Sequence, residues 1–394
     1  HDMAPQAGGR ARAVDQRGLV LDNGQHILIG AYRDTLALMR RVGIDPDTVL
    51  LRRPLALVDA QGQGLRLPAG PALVAFARAV WANRAWTVAE RLAVLRGATA
   101  WLARGFACDG ALTVAQLCRS WPQRVVDDFI DPLCVAALNT PAAEASATVF
   151  LRVLKDGLFG GPGSADLLLP RVDLSALLPA PTLAHLQAQG ATLKLAERVH
   201  RIAPEGSGWQ VNTTHFDAVV LATPPGEAAR LVAHLAPEWA AVAHALRYEP
   251  IVTVTLSCAG LRLPQPMLAL ASDAHVRPAQ FVFDRGQLGG PEGQLAFVIS
   301  GAAPWVAAGR DATLGACIDQ AAAAFTAGDA SRWQVVAMLA EKRATFRCTP
   351  GLQRPAAAIA PGLWAAGDHV AGPYPATLEG AVRSGLAAVR ALNG

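Results

Sequence analysis

The sequence predicts an α/β protein whose α/β layer is assembled from separated pieces of chain, with an α+β insertion between them. Two observations carry this. Short apolar runs bounded by polar and proline residues, "DAVVLAT" at 217–223 and "LWAAGD" at 363–368, have the pattern of buried parallel strands. Blocks of different character lie between them, mainly helical over 50–185 and strand-rich over 245–350.

Composition narrows the function classes. The 394 residues suffice for two domains with substantial cores, and 52% hydrophobic content marks a globular chain. The net charge of +4 comes almost wholly from arginine, since lysine stands only at Lys155, Lys194 and Lys342. With no Lys/Arg block, nucleic-acid binding is excluded from the reading. The six cysteines form neither a CxxC pair nor a Cys/His cluster at zinc spacing. They read as buried free thiols in a reducing compartment. No apolar run approaches the ~18 residues of a membrane span, so the expected location is cytoplasmic.

Each element follows in order. The opening stretch 1–12 reads as a turn: Gly8-Gly9 permits a tight bend, Asp2 suits ribose hydroxyls and Arg10 suits a phosphate. A disordered basic terminus is the other reading. Residues 71–107 carry Phe76, Trp81, Trp86, Trp101 and Phe106. They also carry Arg78, Arg84, Arg91, Arg96 and Arg104 against the single acid Glu90. Such a segment either lies on an anionic membrane with interfacial tryptophans or is a helical hairpin with its aromatics packed inward. "GGPGSAD" at 160–166 reads as a loop. Alternation predicts strands at Thr192–Leu195, Val199–Ile202 and Trp209–Val211, with a hairpin turn at "GSGW", 206–209. Further strands are expected at 251–258, 295–300 and 333–340.

The last stretch, 362–392, reads as a strand, a Gly-Asp turn and a helix from about Thr377. Gly367-Asp368 places a carboxylate at a strand end, where it suits a polyol. The helix start offers free N–H groups to an anionic or electron-rich ring edge, and Gly380 allows close backbone approach. A surface turn with a Thr N-cap and a Glu two residues on is the alternative.

Taken together, "GGRAR" at 8–12, "FDAVVLATPP" at 216–225 and "LWAAGD…YPATLEGAVRSG" at 363–385 resemble the flavin-containing amine oxidase and phytoene desaturase superfamily. "GLVLDNGQHILIGAYRDTLALMRRVGI" at 18–44 and "DPLCVAALNTPAAEASA" at 131–147 are similar to its squalene-associated branch, the hydroxysqualene dehydroxylases of bacterial hopanoid synthesis. The resemblance implies FAD and a Rossmann-like FAD-binding domain over 1–49, 186–240 and 351–394. It also implies a discontinuous substrate domain of helices and a mixed sheet over 50–185 and 241–350. Asp2 then falls at the ribose, Gly8, Gly9 and Arg10 near the pyrophosphate, and the Val199 backbone at the adenine. Gly367 and Asp368 fall at the ribityl chain, and Thr377 and Leu378 at the pyrimidine edge. The superfamily's opening strand–GxGxxG–helix unit does not precede Asp2, so the expectation is a truncated FAD-binding domain: either the sequence is cut short there or the chain binds FAD weakly or not at all.

The implied reaction replaces an allylic hydroxyl of hydroxysqualene by hydrogen, giving squalene. Cleaving C–O needs a proton donor and exclusion of water. Asp22 and His26, with Gln25 between them, lie in the stretch most characteristic of the branch, and Tyr374 lies beside the flavin motif. These are the catalytic candidates, although a lone histidine is more often a structural partner. A carotenoid-type desaturase, an amine oxidase and a catalytically silent fragment remain as alternatives.

Overall fold

The computed structural model describes residues 1–16, 18–273 and 275–393. The two apolar runs form the expected parallel pair: Val219–Leu221 lies against Leu363–Ala365, with Val219 opposite Leu363 and Leu221 opposite Ala365. Ala358–Ala360 adds an antiparallel strand on the far side of Leu363–Ala365. The hairpin Ile202–Glu205 and Gly208–Val211, continued by Thr214–Phe216, turns at Gly206, whose φ of +61° glycine tolerates. Leu221 and Leu363 share a core with Trp209, Leu231 and Val232. The indole N–H groups of Trp209 and Trp239 donate to the carbonyls of Pro361 and Ala356, tying hairpin and helix to the sheet.

The alternation at 192–195 and 199–202 does not give ladder strands. Residues 191–200 stay outside regular structure, and the next strand begins at Ile202. Their backbone partner is the opening segment instead. Asp2 N donates to Lys194 O (2.8 Å), Glu197 N to Asp2 O (3.0 Å) and Ala196 N to Ala4 O (2.9 Å). Three such bonds hold the stretch extended without building a ladder.

The strand-rich block forms an antiparallel sheet of five strands. Their order is Met267–Ala269, Phe281–Asp284, Gln294–Ile299, Tyr248–Ser257 and Gln334–Phe346. Both faces are covered, which explains why "LAFVI" is continuously apolar. Side chains alternate with the pleat. Phe281, Phe283, Ala296 and Val298 pack into the core of the helical block, whereas Val282, Leu295, Phe297 and Ile299 join the core that contains Cys317 and Ala321 of helix Arg310–Phe325. Asn139, at φ +47° just beyond helix Asp131–Leu138, pins the two blocks together. Its amide donates to Thr345 Oγ1 (2.9 Å), and its oxygen accepts from Gly301 N (2.7 Å).

The helical block buries Phe76, Trp86, Trp101 and Phe106 in the largest core cluster. Of the five aromatics named over 71–107, Trp81 alone is exposed. The others pack inward because Trp101 stacks on Trp121 and Trp86 meets Phe129. All six cysteines are free thiols, five of them buried. Among the described residues no helix is long and apolar enough to cross a membrane.

Candidate active site

The parallel pair delivers two chain ends side by side. Leu221 leads to Ala222-Thr223, and Ala365 leads to Ala366-Gly367-Asp368, with Ala366 N donating to Leu221 O (2.9 Å). Ligands of open parallel sheets bind outside such carboxyl ends. At Gly367, with φ +149°, a side-chain carbon would stand 2.7 Å from the His369 ring, so only glycine fits there. Asp368, 8% exposed, receives Arg10 Nη2 on Oδ2 at 2.5 Å. Residues 358 positions apart in the chain are thus joined. The Gly8-Gly9 turn that aims Arg10 has φ values of +111° and +57°, and Ala11 N closes it on Gly8 O. Arg10 also donates to the carbonyl of Ala344, on the long strand of the five-stranded sheet.

The loop after Asp368 is held by Arg354, which the sequence reading missed. Its guanidinium donates to the carbonyls of Asp368, His369, Val370, Gly372 and Tyr374 while stacking 4.6 Å from the Phe346 ring centroid. Beyond the loop, Thr377 Oγ1 accepts from Gly380 N (3.0 Å) and caps the helix Leu378–Asn393. Glu379, 2% exposed, was read only as a companion of that cap. It instead accepts from Asp34 N, Thr35 N and Thr35 Oγ1, so it caps the separate helix Arg33–Arg41.

The catalytic candidates fall in three places. His26 is nearest the Arg10 group. Its Nδ1 lies 2.7 Å from Gly24 O, and burial lowers its pKa, with the Arg10 charge adding to the effect. A neutral ring donating from Nδ1 leaves Nε2 as an acceptor, so His26 is suited to receive a proton rather than give one. Asp22 accepts from Leu174 N (2.7 Å) and lines a cavity of about 30 Å³ with Gln25, Thr253, Thr255 and Arg285. Burial pushes its pKa up to about 6, against the Leu174 hydrogen bond. Tyr374 stands apart from both: its hydroxyl donates to Asp156 Oδ2 (2.6 Å) and accepts from Arg152 and Arg383, whose guanidinium groups lie over its ring. Burial, then the bond to Asp156, raises its pKa.

Asp2 lies beside the 194–197 segment, its Oδ1 accepting from Ala4 N (2.8 Å). The Val199 carbonyl accepts from Arg230 Nη2 (3.0 Å).

The residues at the two strand ends fit a polar ligand. Thr223 Oγ1 and His369 Nε2 are buried without a hydrogen-bond partner, and such groups are costly unless something satisfies them. Gly367 leaves the backbone open to close approach. The helix start at Leu378 has amides with no intrahelical acceptor.

The flavin-containing amine oxidoreductase family model matches residues 2–393. The chain belongs to that family. It is an FAD-dependent oxidoreductase, as the two strand ends and their unpartnered polar atoms would suit. Hydroxysqualene dehydroxylase of Rhodopseudomonas palustris is 27% identical over 449 residues, covering 98% of this chain and 90% of that protein. The protein of the same name from Sinorhizobium fredii is 27% identical over 418 residues, with the same coverage. Among solved structures, an oxidoreductase from Methanosarcina mazei superposes with a TM-score of 0.71 at 14% identity, covering 98% of this chain and 93% of the other. Cyclohexylamine oxidase from Brevibacterium oxydans gives 0.63 at 16%, covering 99% and 92%. These two share the fold.

Proposed function

We propose that the chain converts hydroxysqualene to squalene, replacing an allylic hydroxyl by hydrogen. Its similarity over 98% of its length to hydroxysqualene dehydroxylases carries this reading. Protonation of the hydroxyl releases water and leaves an allylic cation, which a hydride then quenches. Reduced FAD, when bound, would supply the hydride, and the protein would supply the proton, the orientation and the dry surroundings.

Within this reading, Asp2, Gly8, Gly9, Arg10 and the Val199 backbone serve the nucleotide half of FAD. Gly367, Asp368, Thr377 and Leu378 serve the flavin half. Asp368 Oδ1 is left for a ribityl hydroxyl while Oδ2 is held by Arg10. Among the three catalytic candidates, Asp22 is the proton source. A carboxyl with a pKa of about 6 is still partly protonated near neutrality, as a general acid needs to be. Thr253 Oγ1, buried and unpartnered, lines the same small cavity, which has room for about one water as the relay. Tyr374 has its proton committed to Asp156 and acts as a wall.

The substrate is an uncharged C30 chain, so this reading includes a peripheral contact with anionic membrane as its source. The test is product analysis with purified chain, FAD, dithionite and hydroxysqualene. Squalene is expected as the product, with a rate that falls above about pH 6, and Asp22→Asn should lower kcat by ~100-fold. A desaturated product formed only under oxidising conditions would overturn the reading in favour of a desaturase.

A further inference from the structure

Helix Ala72–Ala82 has apolar residues on every side. Ala75, Phe76, Ala79 and Val80 fill the core, yet Leu73, Val74 and Trp81 face out. Arg78 is its sole charged residue. A helix that is hydrophobic all round belongs in an apolar environment on both sides, and here one side is open. The next helix, Val88–Ala103, continues the surface with Val88 and Leu92 one turn apart and Arg96 one turn further. Leu73, Val74, Trp81, Val88 and Leu92 are each 47–56% exposed. The Arg91 guanidinium lies 5.9 Å from the Trp81 ring centroid, joining the two helices into one face. Contiguous exposed patches of this kind mark interaction sites.

A second observation lies directly behind this face. A cavity of about 720 Å³ is walled by Ala79 and Ala82 of the first helix, by Leu67, and by Leu167 and Met267 opposite. Its lining is predominantly apolar, and its volume is within the range of small-molecule sites. Arg53, Arg66 and Arg78, all exposed, stand among the lining residues. The inner wall, strand Leu167–Pro170, pairs with Leu28–Ile29, the strand that directly follows the Asp22–His26 loop. The cavity therefore spans the layer between the exposed helix and the strands that carry the candidate catalytic loop.

From these two observations we infer that the face formed by helices Ala72–Ala82 and Val88–Ala103 docks on an anionic lipid surface, and that the cavity behind it is the port through which an apolar chain enters from the bilayer. Charge decides the occupant: residues 71–107 carry five arginines and one acid, interleaved with the exposed apolar side chains. An arginine near an anionic leaflet contributes attraction while its stem and neighbouring aliphatic groups enter the interface. A second copy of this chain would bring the same arginines face to face. The inference rests on the apolar substrate proposed above for the port, but not for the docking face.

Flotation with vesicles of phosphatidylglycerol and phosphatidylcholine tests it without turnover. The chain should float with anionic vesicles at low salt, float less at high salt and stay behind with pure phosphatidylcholine. Arg84→Gln with Arg96→Gln, two exposed positions outside the cavity, should weaken flotation roughly tenfold. Trp81→Glu with Leu92→Glu should do at least as much, with circular dichroism and Tm unchanged from the parent. Equal flotation of parent and variants overturns the inference, as does a parent that fails to float or that self-associates through this face instead. Flotation without squalene formation would overturn the reaction and leave the surface standing. Squalene formation from detergent-dispersed substrate without flotation would do the reverse.

Discussion

In the proposed reaction Asp22 would serve chemistry at the expense of stability. Its carboxyl is pushed up to about 6 from 3.8 by burial, so the folded chain holds this proton more tightly than the unfolded chain does. The corresponding stability is fully present below about pH 4 and is lost as pH rises through 6. A shift of this size is worth roughly 2–3 kcal/mol. Asp22→Asn keeps the acceptor for Leu174 N and removes the cost of ionisation. It should unfold with about 2 kcal/mol more free energy than the parent at pH 8 and with the same free energy at pH 4, by urea titration. The same variant should lose turnover, which is the exchange expected of a group strained for function. Asp22 was legible as a candidate because its neighbours Asn23, Gly24 and Gln25 form a recognisable stretch. Its raised pKa was not legible, because it comes from burial in the finished fold and, secondarily, from the Asp173 charge far along the chain, with the Leu174 hydrogen bond and Arg285 opposing.

The element that most needs support is the loop from Asp368 to Tyr374. Five of its carbonyls converge on the Arg354 guanidinium, whose flat fork reaches several acceptors at once. Arg354→Leu leaves those carbonyls without their donor and should cost about 3 kcal/mol, read as a lower urea midpoint. Arg354→Lys should recover only part of this, since an ammonium offers three donors from a single point. Full recovery by lysine would mean that charge, not the fork, holds the loop. The strand and Gly-Asp turn before this loop could be read from sequence because glycine and apolar runs report local backbone. Arg354 and Glu379 could not. Each acts on a segment brought close only by the finished fold, Glu379 across 344 positions to Thr35. The helices over 72–103 differ: apolar residues on all sides give no local sign of which face packs, so the sequence left a membrane face and inward packing both open, and Trp86 and Trp101 prove to be core.

At the scale of the molecule, the two groups with the clearest opposed titrations lie on different elements and offset one another. His369 is lowered to about 4 from 6.5, chiefly by burial with Asp368 opposing, so its contribution is present above 6.5 and is lost as pH falls towards 4. Asp22 gains over nearly the same interval, because its contribution grows as pH falls from 6 towards 4. Each group spans two units or more, and the sites belong to separate parts of the chain, so their effects should add. The parent should then show little change in unfolding free energy from these two groups between pH 6 and 4. Asp22→Asn removes one arm and should uncover an acid decline of about 2 kcal/mol across that window. His369→Gln removes the other and should turn the slope the opposite way, with stability rising on acidification. The double variant should be flat again. Urea titrations of the four proteins at pH 4, 5 and 6 check this, and a decline that persists in the double variant would assign the acid sensitivity to other groups. The flat parental profile would keep the fold steady while the Asp22 proton is exchanged with substrate, which ties the stability of the whole chain to the chemistry proposed for one loop.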